Sequence, residues 1–156
     1  MRSSRIKTTI LFLTIPLLTG GLSAFLSREG MKAFQSLRQP SWAPPMWLFP
    51  VVWTLLYLLM GYGAARVWNT RRRGRGDAVF LFGAQLFVNF WWSIFFFAWG
   101  VRLFAFFWLL LLIVLVLAML LSFKTLDATA ARLNIPYLLW LVLAAWLNMS
   151  VYLLNK

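Results

Sequence analysis

The sequence predicts an all-α integral membrane protein with five transmembrane helices. Of its 156 residues 63% are hydrophobic, and the mean hydropathy is +0.82. A soluble domain is about half apolar, so this chain has too little polar surface to cover a water-soluble globule. The apolar residues also fall into five runs, at 8–26, 46–68, 79–99, 103–123 and 133–154. Each is about a membrane thickness at the helical rise. Finally, Lys and Arg flank these runs and do not form one patch. The net charge of +12 therefore reads as contact with anionic lipid headgroups and as an orientation signal, and nucleic acid is excluded as a partner.

Composition removes most conventional chemistry. There is no cysteine and no histidine, and only Glu29, Asp77 and Asp127 are acidic. Disulfides, thiolate metal sites, a cysteine nucleophile and the commonest general base are all absent. No metal site, cofactor or catalytic constellation is expected.

The first run follows a short basic start. It is longer than the apolar core of a signal peptide and lacks a good cleavage cue at Ser23-Ala24, so it is read as a span. Gly20, Gly21 and Ser23 are small enough for close helix packing, or to leave room for a ligand. Residues 27–45 form the first loop, kept out of lipid by Arg28, Glu29, Lys32 and Arg38, with a short interfacial helix expected over 29–37. Pro40, Pro44 and Pro45 then fix φ and remove backbone donors, which prevents regular structure. Pro45 stands where a helix start tolerates proline, and Pro50 is early enough to cost few helical bonds. A rigid turn carrying Trp42 thus delivers the chain into the second span, which carries Trp47 and Trp53.

Residues 69–77, NTRRRGRGD, read as a cytoplasmic anchor loop. In the third span Gln85, Asn89 and Ser93 recur every four residues, on one helix face. An amide facing lipid loses its water partners at a cost of several kcal/mol, so this face should point into the protein. Its role is interhelical hydrogen bonding, a polar spot in a ligand cavity, or both. Gly100 turns the chain into a fourth span of almost pure Leu, Val, Ile and Phe, expected at the lipid-exposed periphery. Residues 124–132 are expected as a polar turn. The fifth span has Pro136 in its first turn and a row at Trp140, Ala144, Asn148 and Tyr152. Gly83 and Ala84 are small enough for a homodimer contact, although Phe87 and Val88 crowd the next turn. Leu147, Tyr152 and Lys156 satisfy a weak proposed cholesterol pattern.

Several of these motifs, in order, resemble those of the translocator protein family, also called the tryptophan-rich sensory proteins or peripheral benzodiazepine receptors. The matching residues are Pro40, Trp42, Pro44, Pro45, Trp53, Leu56, Tyr57, Met60 and Gly61. They continue with Gln85, Asn89, Trp92, Phe96 and Phe97, then Pro136, Tyr137, Trp140, Ala144, Leu147 and Asn148. The chain departs from the family at Ala33-Phe34, where an aromatic pair is usual, and at Phe104, where tryptophan is common. The resemblance implies a single five-helix bundle over residues 1–156, with 27–45 as a lid over a cavity.

It also implies a membrane receptor or carrier that binds porphyrins, and sterol-like or benzodiazepine-site ligands, in an aromatic intramembrane pocket. Carried over residue by residue, the pocket comprises Ser23, Leu26, Pro44, Pro45, Phe49, Trp53, Asn89, Trp92, Phe96, Phe104, Trp140, Ala144 and Leu147. Arg28, Lys32 and Arg38 are candidates for porphyrin carboxylates at the rim, or for lipid headgroups. The alternative is a light- and oxygen-dependent porphyrin-degrading enzyme using Trp53 and Trp140. With no histidine or cysteine, and no methionine or tyrosine placed beside those two indoles, metal-free protoporphyrin is expected to bind about as well as haem.

Ten basic residues, Arg2, Arg5, Lys7, Arg66, Arg71, Arg72, Arg73, Arg75, Lys124 and Arg132, fall on one side of such a bundle. Five, Arg28, Lys32, Arg38, Arg102 and Lys156, fall on the other. The positive-inside rule then places the N-terminus in the cytoplasm and the proline-rich loop outside.

Overall fold

A computed structural model describes residues 2–156, and among these it contains helices and no strand. The order is α1 (Arg2–Phe34), α2 (Leu48–Asn69), α3 (Arg75–Ser93), a π-helical turn (Ile94–Ala98), α4 (Arg102–Leu126), α5 (Ala128–Leu133) and α6 (Ile135–Leu154). Five helical stretches are long and apolar enough to cross a membrane, as the composition requires. α1 packs on α2 and on the π-helical turn, α3 on α4, and α4 on α6.

The short separate helix expected in the first loop does not form. α1 runs unbroken for 33 residues, about 50 Å at the helical rise, so its last turns outrun the ~30 Å hydrocarbon core. No proline stands between Pro16 and Pro40 to stop it, and Lys32 reaches back to Glu29 at 3.2 Å across one turn. Phe34 then anchors the end. It is buried against Phe96 at 5.4 Å and Phe97 at 5.3 Å between ring centroids. The loop proper is therefore residues 35–47. Asn155 clips it to the end of α6, accepting from the Arg38 N–H at 3.0 Å and donating to the Arg38 carbonyl at 2.8 Å.

Proline punctuation works as the sequence suggests. The Pro45 carbonyl accepts from Leu48 N–H at 3.0 Å and opens α2. Gly100 turns the chain between α3 and α4 with φ of +64°, a conformation that favours glycine. The expected polar turn over 124–132 is mostly helical instead. α4 continues to Leu126, and Asp127 caps α5 by accepting from Ala130 N–H at 2.9 Å. Asp127 also pairs with Arg66 at 2.8 Å. Burial alone would raise its carboxyl, but the Ala130 amide and the Arg66 guanidinium outweigh that and hold it below its ordinary value.

The third span ends in the π-helical turn, where Trp99 N–H bonds to the Ile94 carbonyl at 2.9 Å. The extra residue in this turn shifts the helical phase, so two successive rings face inward. Phe96 stacks on Trp92 at 5.5 Å, and Phe97 meets the same indole edge-on at 6.2 Å. Much of α4 faces outward, with Phe107, Val114 and Leu121 among its exposed residues. That outward face suits the apolar environment of a membrane.

Candidate functional site

A cavity of about 420 Å³ opens between α1, the start of α2, α3 and the π-helical turn. This is the size range of small-molecule sites. α2 contributes Phe49, Trp53 and Tyr57; α3 contributes Asn89, Trp92 and Ser93; the π-helical turn contributes Phe97. α1 contributes Gly20, Ser23, Ala24 and Met31, and the loop closes one end with Gln35, Met46 and Trp47. Small residues on α1 matter here because aromatic ones oppose them. A Cβ on Gly20 would overlap the Tyr57 ring, so glycine is what lets that ring lie against α1.

Trp53 is the hub of the wall. Its ring lies 5.4 Å from Tyr57, 6.2 Å from Trp92 and 6.1 Å from Tyr137, in tilted or edge-on geometries that aromatic pairs favour. Behind it a polar seam joins three helices. Tyr57 Oη donates to Asn89 Oδ1 at 3.1 Å, Asn89 Nδ2 donates to Tyr137 Oη at 2.7 Å, and Tyr137 Oη donates to Gln85 Oε1 at 2.7 Å. Trp92 Nε1 donates to Asn148 Oδ1 at 3.3 Å, and Asn148 Nδ2 donates to the Arg102 carbonyl at 2.8 Å. The polar face of the third span thus serves both roles: Gln85 holds helices together, while Asn89 and Ser93 also reach the cavity.

Of the residues singled out from the sequence, Ser23, Phe49, Trp53, Asn89 and Trp92 line this one cavity. Phe96 lies buried one layer behind, stacked on Trp92. Trp140 also stands behind the wall, edge-on to Phe49 at 5.6 Å. Its indole N–H is buried with no hydrogen-bond partner among the described residues. Ala144 and Leu147 are buried in the packing of α6. Pro44 is half-buried and Pro45 exposed in the loop, neither reaching the cavity. Leu26 and Phe104 face outward, Phe104 against Phe95 at 4.9 Å and Trp108 at 5.9 Å.

The cavity therefore belongs to α1, α2 and α3, and α4 and α6 supply no wall. Tyr57, Ser93, Phe97 and Met31 were not singled out for it. Ser93 was legible, because it continues the Gln85–Asn89 face by one turn. Phe97 was not, because only the π-helical turn brings it inward. The expectation that no methionine or tyrosine stands beside the pocket indoles is overturned: Tyr57 touches Trp53, and Met31 and Met46 line the same cavity. Two of the basic rim residues, Arg28 and Lys32, engage elsewhere. Arg28 sits over the Phe25 ring at 4.2 Å and pairs with Glu29 at 3.6 Å, which also takes Lys32.

Residues 12–154 match the TspO/MBR family model. The tryptophan-rich protein TspO of Chlorobaculum tepidum is 35% identical over 135 residues, 85% of each chain. The tryptophan-rich sensory protein of Cereibacter sphaeroides is 36% identical over 122 residues, 78% of this chain and 76% of that one. The human translocator protein is 36% identical over 137 residues, 83% of this chain and 79% of that one. With a match that runs from α1 to the end of α6, five helices built to span lipid and relatives at this identity, the chain is an integral multi-pass membrane protein and belongs to the TspO/MBR family.

Proposed function

We propose that this protein is a membrane receptor or carrier for a flat, largely apolar ligand held in the α1–α2–α3 cavity. Porphyrins are the leading candidates, and sterol-like or benzodiazepine-site ligands are further ones. The observation that carries the reading is the wall itself. Trp53, Trp92, Phe49 and Phe97 surround one cavity, with a few amide and hydroxyl groups fixed among them. Aromatic faces favour planar ligands, and sparse polar groups set orientation and depth. The names of the relatives, sensory protein and translocator protein, agree with a receptor or carrier role.

The test is a fluorescence titration of the purified protein with metal-free protoporphyrin in the dark. Saturable quenching of the tryptophans supports the reading, and its absence leaves a structural membrane partner with no small ligand. Haem is run alongside. Comparable affinity indicates binding through the ring alone. A much tighter affinity with a six-coordinate spectrum indicates an axial bond from Met31 or Met46, the thioethers in the wall.

A second reading, light- and oxygen-dependent breakdown of the bound porphyrin, is favoured by the position of Trp53 in the wall among Tyr57, Trp92 and Tyr137. Here the chain supplies an oxidisable indole beside the ligand, while light, porphyrin and oxygen supply the chemistry. Product formed only on illumination, and lost without oxygen, separates this activity from simple binding.

A further inference from the structure

Arg102 is a half-buried cation without a partner. It opens α4, and its guanidinium folds back over Gly100, with Nη2 3.7 Å from where a Cβ on that glycine would stand. Its Nε is buried and makes no hydrogen bond among the described residues, and no carboxylate pairs with it there. Other arginines are served differently. Arg28 and Arg66 have carboxylates, and Arg72 and Arg75 donate to backbone carbonyls. Arg71, Arg73 and Arg132 are exposed, where water serves them. A guanidinium drawn partly out of water without an anion loses hydration that nothing else in the chain returns.

The chain has no acidic side chain to spare at this end of the bundle. Of its three acidic residues, Glu29 already holds Arg28 and Lys32, while Asp77 and Asp127 stand at the end of the arginine loop. What the chain does supply is room for an anion. A cleft of about 300 Å³ opens between the start of α4 and the close of α6. Gly100 and Arg102 line one side of it, and Tyr152 and Lys156 the other. Lys156 is exposed and brings a second cation. The Arg102 carbonyl accepts from Asn148 Nδ2 at 2.8 Å, which fixes the backbone from which the guanidinium departs. Leu103 and Phe104 also line the cleft, and both are exposed on the apolar outer face of α4.

We propose that this cleft is a binding site for the phosphate of an anionic membrane lipid. The Arg102 guanidinium takes the phosphate oxygens, for which its planar fork is the matching donor, and Lys156 adds charge. The lipid's acyl chain lies along Leu103 and Phe104. The guanidinium and the second cation name the phosphate; the apolar flank at the same opening names a lipid over a free ion. The cleft shares no lining residue with the α1–α2–α3 cavity, so the proposal is independent of what fills that cavity.

The experiment is native mass spectrometry of the full chain in a neutral, phosphate-free detergent, titrated with dioctanoylphosphatidylglycerol. Two ligands are run alongside. Dioctanoylphosphatidylcholine has the same chains and phosphate but carries its own compensating ammonium, and inorganic phosphate has no chains. Phosphatidylglycerol should bind saturably and more tightly than either. Arg102→Gln should weaken it about tenfold, as for lost hydrogen bonds between charged groups. Lys156→Gln should weaken it about fivefold, as for one cation at a lipid surface. Arg132→Gln removes the same charge from the other end of the bundle and should bind as the wild type does. If Arg102→Gln does not fold, Lys156→Gln decides. Phosphatidylglycerol bound no more tightly than phosphatidylcholine, unchanged binding in Arg102→Gln, or an equal fall in Arg132→Gln would each overturn the proposal. Inorganic phosphate bound as tightly as the lipid, with the same dependence on Arg102, would make this a site for a free anion and overturn the lipid assignment.

Discussion

At the scale of single residues, Trp53 and Trp140 occupy different positions despite their similar setting in the sequence. Trp53 presents its ring to the cavity and contacts three other aromatic side chains. Trp140 reaches the cavity only through Phe49 and carries a buried N–H with no partner among the described residues. Trp53→Phe keeps a ring but removes contact area and a donor, so porphyrin affinity should fall by about 1 kcal/mol, as for an aromatic pair. Any light-driven breakdown should fall further, because phenylalanine is far harder to oxidise than indole. Trp140→Phe loses no hydrogen bond, so its effect on dark affinity should be clearly smaller. Dark titration and illuminated product for both variants check this. Equal losses of affinity would mean that Trp140 enters the site when ligand binds.

At the scale of elements, the cavity depends on how closely α1 approaches the π-helical turn. Gly30 lies directly against the Phe97 carbonyl, and a Cβ there would overlap that backbone oxygen. Gly21, earlier on the same helix, faces open space, and a Cβ there would meet nothing within 4 Å. Gly30→Ala should therefore push α1 off the turn that carries Phe97. It should lower the thermal midpoint by an amount corresponding to about 1–3 kcal/mol, the usual cost of overpacking. Gly21→Ala should be neutral or stabilising by up to about 1 kcal/mol, since alanine is the better helix former. Melting temperatures in detergent decide. If Gly30→Ala melts with the wild type, close approach at this point is not what holds α1 in place.

At the scale of the whole molecule, the tertiary contacts gather the charges at two ends. Arg66 pairs with Asp127, and Arg72 donates to the Leu126 carbonyl at 3.0 Å, so the arginine loop shares an end with the α4–α5 junction. Asn155 clips Arg38, and Asn148 holds the Arg102 carbonyl, so the proline-rich loop shares the other end with the close of α6. The ten-to-five split of basic residues between these ends motivates the orientation. We propose that the arginine end is cytoplasmic. A reporter fused after Lys156 should then be active outside the cytoplasm. Neutralising Arg71, Arg72, Arg73 and Arg75 should give mixed orientations. Reporter activity confined to the cytoplasm would reverse the assignment and leave the bundle unchanged.

Apolar length and charge placement by themselves determine the five spans. A run of about twenty residues without charges has few alternatives to a membrane helix, because lipid offers no partner for an unpaired backbone group. The same logic made the Gln85–Asn89–Ser93 face inward, and spaced motifs carried the family. Proline and glycine punctuation located the starts of α2 and α6 and the turn at Gly100. What the sequence left undetermined depended on contacts between residues distant in the chain. Residues 29–34 continue α1 because Phe34 finds Phe96 and Phe97, far along the chain. Phe97 enters the cavity because the π-helical turn rotates it there. Phe104 faces outward because α4 packs against α3 and α6 on its other side. The hydrogen-bonded meeting of Tyr57, Asn89, Tyr137 and Gln85 depends on side chains drawn from α2, α3 and α6. No local pattern encodes that meeting, since each side chain is a common residue at an ordinary spacing until the helices bring their polar ends within hydrogen-bonding distance of one another.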